Sequence, residues 1–191
     1  MKNSTSNSNF WLTTVLIVAV VILRIITNQL NLFNFTPIIA VSLFAGAKFK
    51  NNKDAFTLPI LLLFLTDAVL AYLNNFDVFH STFFFTYVSI FLIILLGKLL
   101  GKEEFNIVKT TGFSLMSSLL FFIITNFGTW LFGNLYTLNW QGFVECYVKA
   151  IPFSQYSWLT DLFYVTTLFS IYNWITLKKT TPAKETVNHK K

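Results

Sequence analysis

Four polar side chains occur inside long apolar stretches of the sequence: Arg24, Asp67, Asn126 and Asp161. An ionisable group costs free energy within a membrane, so it tends to face the interior of a helix bundle and to find a partner there. Groups of both charge signs suit a polar ring or a zwitterionic solute. Two carboxylates could also share acid–base work, but no nucleophile and no set of metal ligands accompanies them. We therefore expect binding without catalysis, cofactor or metal.

Aromatic residues lie near these polar groups in the predicted spans, and a pocket that combines the two is the usual makeup of a small-molecule site. The candidate substrate-binding residues are Arg24, Asp67, Asn126, Trp130, Trp158 and Asp161. Structural interpretations stay open for most of them. Arg24 could pair with Asp67 or extend towards the surface, and the tryptophans could form an interfacial belt. Asp161 could be favoured by the dipole at a helix N-terminus.

The composition excludes most soluble classes of protein. The chain has 191 residues, of which 54% are apolar, 18% aromatic and only 12% charged, whereas a soluble domain carries roughly 25% charged residues. The single cysteine, Cys146, excludes a disulfide framework and a cysteine-based zinc site. A net charge of +6 comes mostly from lysines that would orient the protein in a lipid bilayer, so we expect no nucleic-acid partner.

The apolar stretches predict an all-α integral membrane domain with six transmembrane helices, because about 20 apolar residues cross a bilayer as a helix. The predicted spans are residues 10–30, 36–49, 55–73, 83–101, 108–132 and 157–177. The second is short and could, taken alone, be re-entrant. Residues 1–9 form a polar lead that we expect to be flexible, residues 10–177 the single membrane domain, and residues 178–191 a basic tail.

The lysines predict the orientation of these spans. If the N-terminus is cytoplasmic, all of the 14 basic residues except Arg24 and Lys149 fall in inner segments, as the positive-inside rule requires. The second span must then cross the membrane, because without that crossing the lysine-rich segments would not all fall on the inner side. We expect both termini in the cytoplasm and a multi-pass protein of the bacterial cytoplasmic (inner) membrane, with the four polar groups in the outer half of the bundle.

Residues 140–153 predict a short interfacial or re-entrant helix between the fifth and sixth spans, because apolar residues recur there at helical spacing before Pro152. It could be a lid over the outer pocket, formed by Trp140, Glu145 and Tyr147, or simply packing that shields the bundle. On the second span, Ser42, Ala45 and Gly46 form a small-residue face that permits close helix contact, within the bundle or with a partner protein.

Two resemblances add to this interpretation. Residues 33–47 read FNFTPIIAVSLFAGA, which resembles the opening of an uncharacterised bacterial membrane family of about this length. Residues 117–122, 125–130, 146–153 and 161–163 resemble the same family, over roughly residues 24–169 in all. The architecture is also distantly similar to the substrate-binding (S) subunits of energy-coupling-factor vitamin transporters. That resemblance implies a micronutrient ligand, a membrane coupling protein and two cytoplasmic ATPases as partners.

Three functions follow as hypotheses. The first is a substrate-capture subunit or small carrier for a vitamin-like or other micronutrient solute, with an outward-facing polar and aromatic pocket. The second is a non-transporting scaffold that recruits a partner through the small-residue face. The third is an intramembrane enzyme that uses Asp67 and Asp161. It is disfavoured because no nucleophile and no set of metal ligands accompanies those carboxylates.

Overall fold

The computed structural model of the chain describes residues 2–30, 37–101 and 105–180, with side chains from residue 10 to residue 178. Within these ranges it contains helices and connecting turns but no strand, which confirms the all-α class. The six helices are α1 (Lys2–Gln29), α2 (Ile38–Lys48), α3 (Asn52–Asn74), α4 (Phe83–Leu100), α5 (Ile107–Phe132) and α6 (Trp140–Thr180). Residues 33–36 of the family-like stretch and residues 181–191 of the basic tail lie outside the described residues.

Short polar residues set the helix boundaries. The side chains of Asn51 and Asn106 accept hydrogen bonds from backbone N–H groups in the first turns of α3 and α5, at 3.1 Å and 3.0 Å. Such caps satisfy donors that have no partner inside the helix. At the other ends, Asn75 and Gly101 adopt positive φ and stop α3 and α4.

Four helices are long and apolar enough to cross a membrane: α3, α4, α5 and the part of α1 from Phe10 to Gln29. Their outer faces leave many large apolar side chains exposed, as is expected of a protein surrounded by lipid. These observations indicate a membrane protein. The predicted sixth span lies inside α6, which is not among those four helices, and α2 is shorter than a complete crossing requires.

Helix α2 occupies the centre of the fold. It contacts each of the other five helices, and every residue from Ile39 to Ala47 is buried. An apolar helix of about this length is typical of a core helix enclosed by its neighbours. The shortness that sets α2 apart in the sequence therefore matches a position where its whole circumference is covered by protein.

A close backbone approach in this core joins α2 to α4. A Cβ added at Gly46 would overlap the backbone carbonyl of Ile94, and one at Gly97 would overlap that of Leu43. Only glycine lets two helix backbones come so near. Ser42 and Ala45 are also fully buried. The small-residue face predicted as a partner-docking surface is thus covered within the chain, because α4 already packs on it.

Two predicted boundaries differ from the structure. Helix α1 begins at Lys2, so the polar lead continues the first helix. Helix α6 runs without a break from Trp140 to Thr180 with Pro152 inside it, so residues 140–153 are its first part and not a separate short helix. A proline removes one hydrogen bond from a helix and bends it, but tertiary packing can hold the helix together across that point.

The two ends of the bundle differ in chemistry. At one end the ammonium of Lys98 donates to Asn52 at 2.7 Å, and the ammonium of Lys48 lies 5.3 Å from the ring centroids of both Phe169 and Tyr172. At the other end the last turns of α1 and α3 meet through an amide pair, Asn74 to Asn28 at 3.1 Å.

Candidate functional site

A cavity of about 330 Å³ lies between the start of α2, the second half of α5 and the middle of α6. This volume is at the lower end of the range for small-molecule sites. Its lining consists of Ile38, Ile39, Ser118, Phe121, Phe122, Thr125, Asn126, Ala150, Phe153, Ser154, Ser157, Trp158 and Asp161. Three of the six candidate binding residues, Asn126, Trp158 and Asp161, therefore share one cavity.

Two helical faces build this lining. On α5 the lining residues recur at intervals of three and four from Ser118 to Asn126, and on α6 they do so from Ala150 to Asp161. Residues at such spacing point the same way from a helix. The chain thus presents two facing stripes that mix hydroxyl, amide and carboxyl groups with aromatic rings.

Asp161 is the acidic group of the cavity. Only 3% of the residue is exposed, and the hydroxyl of Ser118 lies 2.8 Å from its Oδ2 atom. Ser118 also lies 3.1 Å from the carbonyl oxygen of Ser114, and its single proton can serve only one of these acceptors at a time. Asp161 is far beyond the first turn of α6, so the interpretation as a residue at a helix N-terminus is wrong.

Three neutral polar side chains of the lining donate hydrogen bonds to carbonyl oxygens of their own helices. Thr125 and Ser154 donate to the carbonyl oxygens of Phe121 and Ile151 at 2.8 Å and 2.9 Å. The amide nitrogen of Asn126 donates to the carbonyl of Phe122 at 2.8 Å. These side chains still offer a bound molecule their oxygen lone pairs and the second amide N–H of Asn126.

Aromatic rings form the rest of the wall. Phe122 and Trp158 meet edge to face with centroids 6.1 Å apart, and Phe121 and Phe153 extend the apolar surface. The lining contains no lysine, arginine or histidine. Across the described part of the chain, no three His, Cys, Asp or Glu side chains come together in a way that could hold a metal ion.

Arg24 and Asp67 are absent from this lining and form a separate network between α1, α3 and α4. The guanidinium donates to Asp67 Oδ1 at 2.5 Å and to Thr66 at 2.6 Å, and the hydroxyl of Tyr87 donates to Asp67 Oδ2 at 2.6 Å. The single pocket expected to combine both charge signs is therefore divided in two. Side chains at equal depth in the bundle still face different neighbours when their helices are rotated differently about their own axes.

Trp130 also lies outside the cavity lining. Its indole N–H donates to the carbonyl of Thr137 at 3.0 Å, and its ring packs edge to face on Phe143 with centroids 5.3 Å apart. Through these two contacts Trp130 holds the turn between α5 and α6 against the first part of α6.

The predicted lid residues do not line the cavity either. Trp140 is mostly exposed, and Glu145 pairs with Lys149 at 2.5 Å, a hydrogen bond that raises the pKa of Lys149. Tyr147 donates to the carbonyl of Ile123 at 2.7 Å and thereby ties α6 to α5. The segment does contribute to the wall, but through Ala150 and Phe153 near its end.

Sequence reasoning missed most of the hydroxyl and phenyl groups of the site, including Ser118, Thr125, Ser154 and Ser157. The signal that could have found them is their register. Ser154 and Ser157 fall seven and four residues before Asp161, and Ser118 falls eight residues before Asn126, which places them on the same helix faces as those two polar residues. Thr125 is adjacent to Asn126 and seven residues after Ser118, so it lies beside that face.

The chain was compared with known proteins. No curated protein and no solved structure matches it, so the distant similarity to vitamin-transporter S subunits gains no support from these comparisons. A family profile matches nearly the whole chain, over residues 4–184. The protein belongs to this family, the family of unknown function DUF6580.

Proposed function

We propose that this protein is a membrane subunit or small carrier that captures a small solute, with the cavity between α2, α5 and α6 as its binding site. The observation that carries the proposal is Asp161, a buried carboxyl in a cavity of ligand size whose only partner in the described lining is Ser118. Burying such a group is costly unless something pairs with it. Polar groups that converge in a well-formed, mostly apolar pocket are typical of a binding site.

The proposed orientation has the cavity open towards the outside of the cell. The cavity lies at the start of α2 and in the second half of α5, which are outer positions if the N-terminus is cytoplasmic. Lys48 and Lys109 meet around a small crevice near the opposite end of the same two helices, as the positive-inside rule favours. Solute would enter from outside, and a protein that only captures it would need a separate coupling protein and ATPases for uptake.

The scaffold hypothesis has less support. It depended on Ser42, Ala45 and Gly46 as a docking face, and these residues are enclosed by the chain itself. A partner could reach them only if α4 moved away from α2. No other observation favours recruitment of a partner over solute binding.

Thermal unfolding of the purified protein tests the proposal. Pools of water-soluble metabolites are added, and we expect at least one compound to raise the Tm, since a ligand at 100 times its Kd stabilises the folded state by about 2.7 kcal/mol. Ser154→Trp fills the cavity and should abolish the effect. Tyr156→Trp, two residues away and outside the lining, should retain it. Failure of every metabolite, or equal shifts in both variants, would contradict solute binding in this cavity.

A further inference from the structure

We infer that the ligand of the α2–α5–α6 cavity is a small organic monocation that carries an N–H group on a compact apolar or aromatic body. The inference rests on the proposed function and specifies its substrate class. It differs from the sequence-based expectation of a zwitterion, because Arg24, the basic residue expected in the pocket, is bound to Asp67 elsewhere.

The first argument is hydrogen-bond complementarity. The hydroxyl protons of Thr125 and Ser154 are directed to backbone carbonyls of their own helices, and Ser118 lies within hydrogen-bond distance of two acceptors. These hydroxyl oxygens and the carboxyl group of Asp161 therefore present acceptors to a guest, beside the donors of Asn126, Ser157 and Trp158 in the same lining. A ligand that offers donors satisfies the carboxyl and hydroxyl oxygens, which a ligand with acceptors alone would leave unpaired in a desolvated site.

The second argument is charge. Asp161 contributes a carboxyl group that is almost entirely buried, and the residues that line the cavity include no base to neutralise it. Asp67, which is only partly buried, has both an arginine and a tyrosine as partners. The contrast indicates that the counter-charge of Asp161 is supplied by the bound molecule. An anionic solute would instead meet like charge.

The third argument is the aromatic lining of the cavity. Phe121, Phe122, Phe153 and Trp158 surround the polar groups. The faces of aromatic rings attract cations, most strongly where water is excluded, and they also pack against an apolar or aromatic body. A cavity of about 330 Å³ limits the guest to a compact molecule.

The test uses three probes of nearly equal shape that differ in charge: benzylammonium, benzyl alcohol and phenylacetate. Their affinities for the purified full-length protein are measured by isothermal titration calorimetry against detergent blanks. We expect benzylammonium to bind at least about tenfold more tightly than either other probe. Asp161→Asn should weaken benzylammonium binding roughly a hundredfold, because the charge-assisted contact is lost. Asp77→Asn removes an exposed carboxylate from a loop and should change nothing.

Two results would overturn the inference. If benzyl alcohol or phenylacetate binds as tightly as benzylammonium, and Ser154→Trp removes that binding, the cation preference is wrong while solute capture stands. If none of the three probes binds, the cation class is also wrong, and the metabolite screen decides separately whether the cavity binds a solute. Should the Asp161→Asn protein fail to fold, the probe series on the unaltered protein decides alone.

Discussion

Asp67 and Asp161 have different surroundings, which supports different roles for their carboxyl groups. Asp67 is fixed by Arg24 and Tyr87, and its network joins three helices. Asp161 lies in a cavity with one hydroxyl for a partner. Removal of one partner from a network such as that of Asp67 is destabilising, whereas a carboxyl group without a counter-charge from the protein can pair with a ligand.

Removal of the Asp67 charge tests this division at the scale of single residues. Asp67→Asn leaves the guanidinium of Arg24 buried without a counter-ion, so we expect a loss of about 3 kcal/mol in the free energy of unfolding. Binding of benzylammonium by the folded fraction should be unchanged, because Asp67 is not in the cavity lining. Unfolding curves and calorimetry on the same preparation measure both quantities. A loss of binding without a loss of stability would assign Asp67 to the binding site.

Residue types could be predicted from the sequence better than their partners could. The polar groups stand out against the apolar stretches, and three of the six candidates do share the cavity. The partner of Arg24 depends on the rotation of α1 against α3, which spacing along one helix does not determine. The sequence left pairing with Asp67 open as an alternative, and the ion pair confirms that alternative.

At the scale of helices, the α2–α4 crossing is a tight packing constraint. Gly97→Ala would place a methyl group against the backbone of α2, which cannot move without opening the core. We expect a loss of several kcal/mol in unfolding free energy, since overpacking a well-packed core costs about 1–3 kcal/mol and backbone overlap costs more.

Gly112→Ala is the matched control for that change. A Cβ at Gly112 meets no atom within 4 Å, so this substitution should be neutral or slightly stabilising, as alanine favours helix. The Tm of both variants is measured by thermal unfolding. Equal stability of the two proteins would contradict the close α2–α4 approach.

Helix positions were easier to predict than helix packing. The predicted stretches 83–101 and 108–132 agree with α4 and α5 to within a residue at each end, because apolar runs, asparagine caps and a glycine mark them. Gly97 is an example of a packing contact that could not be predicted from the sequence. A glycine in an apolar helix has no visible partner until the crossing helix is known, and the small face of α2 fits a protein partner as well as it fits α4.

At the scale of the whole molecule, the central prediction is its orientation in the membrane. We replace Cys146 with alanine and introduce Ser157→Cys in the cavity lining or Asn51→Cys before α3. A membrane-impermeant thiol reagent added to intact cells should label the cysteine at 157 but label the one at 51 only after permeabilisation. This pattern follows from a cytoplasmic N-terminus and a cavity that opens outwards. The reverse pattern would invert the orientation.

The most direct test of solute capture is native mass spectrometry of the purified protein and its Ser154→Trp variant. The account predicts a bound small molecule at one copy per chain in the unaltered protein and in Tyr156→Trp, and its loss in Ser154→Trp. A bound mass that is equal in all three proteins, or none in any of them, would contradict a solute site between α2, α5 and α6.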